Sequence, residues 1–174
     1  TSTPNFWRLQ NLGIYSKIKL IPADLLDMGS MVEAIKVSDA DEIYNLAASS
    51  FVGTSFEQSV GNAEITGLAV TKLLETIRFL KQDIKFYQAS SSEMYGDNKF
   101  SFQNEQTPFM PSSPYGVAKL YAHWVTDIYK KSYNMFAVNG VLFNHESPLR
   151  GLEFVSRKIT NGVAEIFLGQ KKEL

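Results

Sequence analysis

Short apolar runs along the chain alternate with longer segments in which apolar residues recur at helical spacing. The apolar runs predict strands over 18–21, 42–48, 84–89 and 136–143. The helical spacing predicts helices over 28–36, 62–80, 114–133 and 153–168. This alternation favours an α/β fold with a mainly parallel sheet and right-handed crossovers.

The segment 97–113 is polar and interrupts this alternation. It contains Pro108 and Pro111, and loops of this length in compact domains are usually functional or disordered. Ser113 and Pro114 then form a pair that is typical of the N-cap and first position of a helix. We therefore predict a long loop that leads directly into a helix.

Small or polar residues follow three of the predicted strands, at 47–50, 90–93 and 144–147. Ligands of open parallel sheets bind beyond the carboxyl ends of the strands. The sequence therefore predicts that these three segments meet around one crevice.

Composition excludes several kinds of site. A net charge of −1 and a pI near 6.1 argue against a nucleic-acid or anionic-membrane binder. The absence of cysteine excludes disulfides, thiolate metal sites and a cysteine nucleophile, and two histidines are too few for most zinc sites. Without a long apolar run or a signal sequence, the chain is expected to be a soluble cytoplasmic protein that binds no metal.

Tyr115 and Lys119 form a Tyr-x-x-x-Lys pair at the start of a predicted helix. Positions i and i+4 share a helical face, so the ammonium can lie near the phenol and lower its pKa. Such a tyrosine could act as a general base toward a substrate hydroxyl. A chance pair on a solvated helix remains the alternative.

Ser91 and Glu93 directly follow the third predicted strand. The hydroxyl could hydrogen-bond a substrate oxygen, and the carboxylate could accept a proton from carbon. A polar turn explains the same residues. Because both would face the crevice of Tyr115, the two weak signals support one another.

Four other positions could contact a ligand. Asp24 and Leu25 follow the first predicted strand, where an adenine-binding pair or a simple helix start would fit equally. His145 and Arg150 follow the last strand, and arginine suits phosphate recognition, although most arginines simply lie at the surface.

A glycine-rich strand-to-helix turn, expected at the start of a dinucleotide-binding fold, is not found in the sequence. Gly61 and Gly67 have the outer spacing, but Glu64 occupies the middle position in a predicted helix. The lack of an initial methionine favours a chain that begins after the first strand and this turn.

Together these segments resemble the extended short-chain dehydrogenases, and among them the sugar-nucleotide dehydratases that act on GDP-mannose. The run Phe143-Asn144-His145-Glu146-Ser147-Pro148 is far more specific than Tyr-x-x-x-Lys, and Ser92-Glu93 stands where sister dehydratases have Asp-Glu. The similarity covers nearly the whole chain, through the segments 23–25, 43–48, 85–96, 107–109, 113–121, 134–140, 142–148 and 154–159.

The resemblance implies a doubly wound, Rossmann-like fold that binds NADP and dehydrates GDP-mannose to GDP-4-dehydro-6-deoxymannose. Tyr115 would take the proton of the sugar 4-hydroxyl, Lys119 would hold the nicotinamide ribose, and Ser91 matches the family's catalytic threonine. Glu93 would remove the C5 proton and assist loss of the C6 hydroxyl. Another sugar-nucleotide dehydratase, an epimerase or reductase, or a non-catalytic fragment remain the alternatives.

Further residues match binding positions of the family. Those of the cofactor site are Asp24, Leu25, Leu46, Ala47, Ala48, Ser49, Ser50, Lys119, His145 and Arg150. Those of the substrate site are Ser50, Glu93 and Asn144. Ser49 stands where the family usually has glutamine, and Leu149 stands where it usually has arginine. The ligand contacts of the family are therefore not expected to be kept at these two positions.

The resemblance also implies an organisation. Residues 1–150 would form a partial NADP-binding domain and 151–174 the beginning of a substrate-binding region. Relatives are about twice as long, so we expect a fragment or the ordered part of a longer protein. A homodimer formed through the Tyr-x-x-x-Lys helix, or a homotetramer with Thr1–Trp7 near a neighbouring subunit's cofactor, is the expected assembly.

Overall fold

The structure is a computed structural model that describes residues 5–81, 83–97, 99–100 and 102–173. Thr1–Pro4, part of the segment expected near a neighbouring subunit, lie outside the described residues. The chain divides into two units, one of which is Ile21–Phe143. The other contains the described residues up to Leu20 and those from Asn144 onward.

The described part of the chain contains seven α-helices and three strands. The helices are α1 (Trp7–Asn11), α2 (Met28–Ser38), α3 (Val52–Glu57), α4 (Ser59–Asn62), α5 (Ala69–Leu80), α6 (Pro114–Tyr133) and α7 (Val155–Phe167). The strands are β1 (Glu42–Asn45), β2 (Lys85–Ser91) and β3 (Ala137–Leu142). Single turns of 3₁₀-helix cover Tyr15–Lys17 and Ser92–Met94, and a π-helical turn covers Ala63–Leu68.

The three strands form one parallel sheet in the order β1-β2-β3. Tyr44 pairs with Tyr87, and Phe86 pairs with Ala137. The predicted parallel sheet is therefore confirmed. Since parallel neighbours need a crossover connection, α5 and α6 carry the chain back between strands.

The predicted strand at 18–21 is wrong, because these residues are extended or irregular and pair with none of the described strands. Ile18 and Leu20 are 42% and 43% exposed. An alternating apolar pattern specifies which side a strand would bury, but a strand forms only where a neighbour accepts its backbone hydrogen bonds. Pro22 also removes one donor from this segment.

The start of α6 agrees with its sequence signals. Ser113 caps the helix by accepting a hydrogen bond from the Gly116 N–H at 3.0 Å, and Pro114 occupies the first position. The helix ends before Asn134, which adopts the left-handed conformation common after helix C-termini. These local signals therefore determine where α6 begins and ends.

The core lies where α2, α5 and α6 pack together and against the sheet. Leu74 and Ile77 of α5 are fully buried, as are Ile84 and Phe86 around the start of β2. Burying each such side chain stabilises the fold by about 1.5–3 kcal/mol. This core holds the crossover helices rigidly against the strands that end at the candidate site.

The predicted helix over 62–80 begins earlier, at Ser59, and includes the π-helical turn. Gly67 lies in that turn, and a Cβ added to it would lie 3.4 Å from the carbonyl oxygen of Ala118 on α6. A π-helical turn inserts an extra residue into a helix, an irregularity that hydrophobic periodicity does not reveal. No helix in the described ranges is both long and apolar enough to span a membrane.

The predicted long loop is confirmed, since the described residues of 97–112 contain neither helix nor strand. Two backbone hydrogen bonds hold its ends together: Met110 N–H donates to the Met94 carbonyl at 3.0 Å, and Asp97 N–H donates to the Met110 carbonyl at 3.2 Å. Gly96 has a φ of +51°, and a Cβ there would overlap the Met110 carbonyl group. Glycine is therefore required at this turn.

We expect Gly96→Ala to lower the free energy of unfolding by about 3 kcal/mol or more, because left-handed strain adds to a backbone overlap. Urea denaturation measures this loss. Gly61→Ala serves as the control, since its Cβ meets nothing within 4 Å and lies in α4. The control should be neutral or stabilising by about 1 kcal/mol, and equal losses would contradict the account.

Candidate active site

The residues predicted to be catalytic come from three elements of the Ile21–Phe143 unit. Ser91 is the last residue of β2, and Glu93 lies in the 3₁₀ turn that follows it. Tyr115 and Lys119 lie on the first turns of α6. Ser91 and Glu93 are half-buried, whereas the two α6 residues are buried.

One contact shapes the strand end, and a second brings α6 against it. The Ser91 hydroxyl accepts a hydrogen bond from the Glu93 N–H at 3.2 Å, which shapes the turn. A Cβ on Gly116 would lie only 2.7 Å from the Glu93 carbonyl oxygen, so only glycine allows α6 to approach this closely. Sequence reasoning missed Gly116, although its place beside Tyr115 was visible in the sequence.

Tyr115 lies within interaction distance of both residues of the strand end. Burial raises the pKa of its phenol, a hydrogen bond with the Ser91 hydroxyl lowers it, and the nearby Glu93 carboxylate raises it. The net direction is upward, opposite to the one that the Tyr-x-x-x-Lys spacing predicts. The physical reason is that Tyr115 is only 8% exposed, so an ionised phenolate would lose most of its hydration.

Lys119 is 3% exposed, and its ammonium donates a hydrogen bond to the Ala89 carbonyl at 2.8 Å. The Nζ atom lies 5.7 Å from the centre of the Tyr115 ring. Burial lowers the pKa of this lysine to about 8. At neutral pH the site therefore holds a mostly protonated ammonium whose proton can be lost just above neutrality.

The Ala89 carbonyl is shared with a second buried donor. Gln88 donates its amide to that oxygen at 3.1 Å and accepts a hydrogen bond from Asn45 of β1 at 2.8 Å. Both amides are buried. Sequence reasoning missed Gln88, although a glutamine inside an apolar strand is itself a signal of a buried polar contact.

His123 of α6 belongs to a hydrogen-bond network between α6 and the sheet. Its Nδ1 lies 3.1 Å from the Ser90 hydroxyl, and its backbone carbonyl accepts a hydrogen bond from the Asn139 side chain at 3.0 Å. Ser90 in turn donates to Asn139 at 3.2 Å. This network joins α6 to β2 and β3 directly beside Ser91.

The segment Leu46–Ser50 directly follows β1, which ends at Asn45 rather than at residue 48 as predicted. Ala48 and Ser49 are half-buried, whereas Leu46, Ala47 and Ser50 are exposed. Ala47, Ala48, Ser49 and Ser50 have short side chains, which let a ligand approach this segment closely.

Asp24 and Leu25 lie in a turn before α2 and do not follow a strand. The Asp24 carboxylate accepts the Leu26 N–H at 2.9 Å, while half-buried Leu25 packs against the core. Asp27 rather than Asp24 caps α2, through the N–H groups of Gly29 and Ser30. The alternative that Asp24 starts the helix is therefore wrong, because the capping aspartate is Asp27, about one turn later.

His145, Arg150 and exposed Asn144 belong to the other unit. Arg150 donates to the His145 carbonyl at 3.3 Å, and its Nε lies 3.4 Å from a Glu146 carboxylate oxygen. Its guanidinium also lies 3.8 Å from the centre of the Phe154 ring. These contacts fix the arginine within its own unit.

The sequence profile of the family described as GDP-mannose 4,6 dehydratase matches residues 1–174. The GDP-mannose 4,6 dehydratases of Homo sapiens and Cricetulus griseus are each 48% identical over 159 residues, which cover 90% of this chain and 43% of the relative. The enzyme of Yersinia enterocolitica is 49% identical over 148 residues, covering 84% and 40%. The chain thus spans less than half the length of these relatives.

Solved structures share the fold. UDP-glucuronic acid 4-epimerase from Bacillus cereus, solved with UDP-glucuronic acid and NAD, has a TM-score of 0.81 at 26% identity, covering 92% of this chain and 50% of that one. A dTDP-glucose 4,6-dehydratase from Streptomyces venezuelae has a TM-score of 0.80 at 20% identity, covering 97% and 51%. The predicted Rossmann-like α/β class is confirmed.

The buried lysine makes stability depend on pH. Its pKa of about 8 in the folded state lies below the 10.5 of an exposed lysine, so unfolding takes up a proton between these values. Folding stability from this residue should therefore rise with pH through that window. From pH 7 to pH 10, wild-type protein should gain about 2–3 kcal/mol relative to Lys119→Met in denaturant titrations.

Lys131→Met provides the control for this titration, because it removes a lysine of the same helix whose side chain is 72% exposed. Its stability relative to wild-type protein should change little with pH. A constant difference between wild-type protein and Lys119→Met across the pH range would contradict the assignment.

Proposed function

The chain belongs to the GDP-mannose 4,6-dehydratase family, and from this premise we propose that the whole protein dehydrates GDP-mannose to GDP-4-dehydro-6-deoxymannose. The observation that carries the proposal is the meeting of four groups at one strand end: the Ser91 hydroxyl, the Glu93 carboxylate, the Tyr115 phenol and the Lys119 ammonium. Internal oxidation and elimination require a base for the sugar 4-hydroxyl, a hydroxyl that hydrogen-bonds this base, a second base for the C5 proton and a cation held in place. Tyr115, Ser91, Glu93 and Lys119 would supply these groups in that order.

The reaction needs a nicotinamide cofactor, and we infer NADP as its form. When bound, it would accept hydride from C4 of the sugar and return it to C6. The Bacillus cereus epimerase, 26% identical to this chain, was solved with NAD, which supports a nicotinamide dinucleotide. Buried Lys119, which can donate to a ribose hydroxyl, and the small residues of 46–50 fit such a group.

Tyr115 acts as the base for the first step in this proposal. Its phenolate oxygen would take the proton of the sugar 4-hydroxyl, and the Ser91 hydroxyl would stabilise the phenolate by donating to it. Burial raises the pKa of Tyr115, so the phenol is protonated at neutral pH in the protein without substrate and cofactor. The Lys119 ammonium supplies a positive charge 5.7 Å from the centre of the ring.

Glu93 is the group that makes elimination possible. Its carboxylate lies close enough to Tyr115 to raise the pKa of the phenol, and in this proposal both groups act on one substrate. It would take the C5 proton and assist departure of the C6 hydroxyl as water. An epimerase or reductase needs no C5-to-C6 elimination, so Ser91 and Glu93 together favour a dehydratase over these two alternatives.

We also infer a homodimer formed through the exposed face of α6. Its apolar residues recur at helical spacing, and each is 43–55% exposed: Val117, Tyr121, Trp124 and Ile128. Beside them, α6 and the helical segment 59–68 enclose a groove of about 790 Å³ lined by Val60, Leu68, Val117 and Tyr121. Two such surfaces related by a two-fold axis would bury one another.

The remaining parts of the proposal follow from the family resemblance. Residues 1–150 would contribute to the cofactor domain and residues 151–174 to the start of the substrate-binding region. Asp24, His145, Arg150 and Asn144 would complete the binding sites. A tetramer built from two dimers and a cytoplasmic location belong to the same proposal.

The assigned roles can be separated in the full-length protein. Glu93→Gln keeps the side-chain shape but removes the base, so loss of water should slow by about 10²–10⁴-fold while C4 oxidation continues. Tyr115→Phe should block the oxidation itself. Release of deuterium from C5-labelled GDP-mannose, together with single-turnover absorbance of the reduced cofactor, measures the two steps.

Glu105→Gln serves as the matched control, because Glu105 is an exposed carboxylate of the loop 97–113. It should eliminate water at the wild-type rate. Elimination at that rate by Glu93→Gln, or normal cofactor reduction by Tyr115→Phe, would contradict the proposed mechanism. Titration of the wild-type protein with NADP and NAD compares the two cofactor forms directly.

The proposed dimer predicts that Val117→Glu dissociates the full-length protein into smaller species, because a charge would be buried without a partner. Sedimentation velocity measures the change. Val37→Glu, the same substitution at a position of α2 that is 41% exposed, serves as the control and should leave assembly unchanged. Unaltered sedimentation of Val117→Glu would exclude this face as the interface.

A further inference from the structure

The segment Leu46–Ser50 is held from the side by a neighbouring helical turn. We propose that Asn62 and Thr66 are positioning residues that clamp the backbone of Ser49 and thereby fix this segment for cofactor binding. The inference rests on the proposed function only in so far as the segment contacts the cofactor. It assigns a role to two residues that the catalytic roles leave unexplained.

The clamp consists of two hydrogen bonds to one residue. The Ser49 N–H donates to the Thr66 hydroxyl at 3.1 Å, and the Asn62 side-chain amide donates to the Ser49 carbonyl at 2.8 Å. Both bonds use the backbone of Ser49 and neither uses its side chain. The position of the segment is therefore set by residues 62 and 66 rather than by the side chain at residue 49.

Both side chains of the clamp are buried, so losing either hydrogen bond would leave a buried polar group without a partner. Asn62 is 2% exposed and Thr66 is 1% exposed, so each loses its hydration in the folded state. Within the described part of the chain, the Asn62 side-chain oxygen has no hydrogen-bond partner. A buried amide left half-satisfied costs stability, which is an unexpected choice for packing alone. The side-chain hydrogen bond to Ser49 explains what the residue contributes.

The helical turn that holds the clamp also contacts the helix of the catalytic pair. The π-helical turn Ala63–Leu68 begins directly after Asn62 and includes Thr66. Gly67, the next residue, packs against the Ala118 carbonyl of α6, which immediately precedes Lys119. The clamp thus relates the position of Leu46–Ser50 to that of Lys119 through one turn of helix.

The segment needs such support because the sheet does not provide it. The last paired residue of β1 is Asn45, opposite Gln88. Residues beyond a strand end have no ladder partners to fix them, so side chains of other elements must satisfy and position their backbone. Fixing a binding loop beforehand improves affinity, because less conformational entropy is lost on binding.

The test compares Thr66→Val with Thr76→Val in the full-length protein. Both threonines are 1% exposed, but the Thr76 hydroxyl donates to the Lys72 carbonyl of its own helix at 2.8 Å. Both variants lose a buried hydroxyl, and only Thr66→Val breaks the clamp. Two quantities are measured: amide hydrogen exchange over 46–50, and the dissociation constants for NADP and NAD.

We expect Thr66→Val to accelerate exchange of the Ser49 amide and to weaken cofactor binding by about 3- to 10-fold. Thr76→Val should change neither quantity when each variant is measured at the same interval below its own melting temperature. Thr66→Ser restores a hydroxyl and should return both quantities close to wild-type values. Asn62→Ala removes the other half of the clamp and should weaken cofactor binding similarly, and it decides the matter if Thr66→Val does not fold.

Equal effects of Thr66→Val and Thr76→Val on exchange and affinity would overturn the inference, because they would show a purely structural role. Wild-type cofactor affinity in Thr66→Val and Asn62→Ala would also overturn it. Failure of the wild-type protein to bind either dinucleotide would instead contradict the proposed function. The exchange measurement would then still decide whether the two side chains hold Ser49.

Discussion

The close approach of α6 to the carboxyl end of β2 is the constraint on which the candidate site depends. Gly116 faces the Glu93 carbonyl at a distance that excludes any side chain. Because Tyr115 precedes this contact and Glu93 provides it, the phenol and the carboxylate share one environment. The Ser113 cap starts α6 beside this contact. Gly96 allows the loop 97–113 to pack back against the turn that contains Glu93.

Polar groups buried under the site form the second layer of the arrangement. The Ala89 carbonyl accepts hydrogen bonds from both Lys119 and Gln88, and Gln88 is held by Asn45. A buried ammonium with one carbonyl partner costs stability, as the lowered pKa of Lys119 shows. Proteins accept such a cost at functional sites, where a cation of adjustable protonation is useful.

The two sides of the proposed cofactor site share a common support. Lys119 is placed by α6, and Leu46–Ser50 by Asn62 and Thr66 from the π-helical turn that packs on α6. The contacts explain how a segment without strand partners is held in register with α6. Because the clamp binds the backbone of Ser49, it does not depend on the side chain at this position.

The amino-acid sequence by itself determined the α/β class, the parallel sheet, the boundaries of α6 and the neighbourhood of Ser91, Glu93, Tyr115 and Lys119. Hydrophobic periodicity, capping residues and the rule for strand ends are local or topological, so the chain displays them directly. The sequence predicted a strand at 18–21 where the structure has none, since a strand forms only beside a neighbouring strand that accepts its hydrogen bonds. Burial reversed the expected direction of the Tyr115 pKa, and close approach explained Gly116. Only the tertiary structure decided these points, because desolvation and contact arise when distant segments pack together.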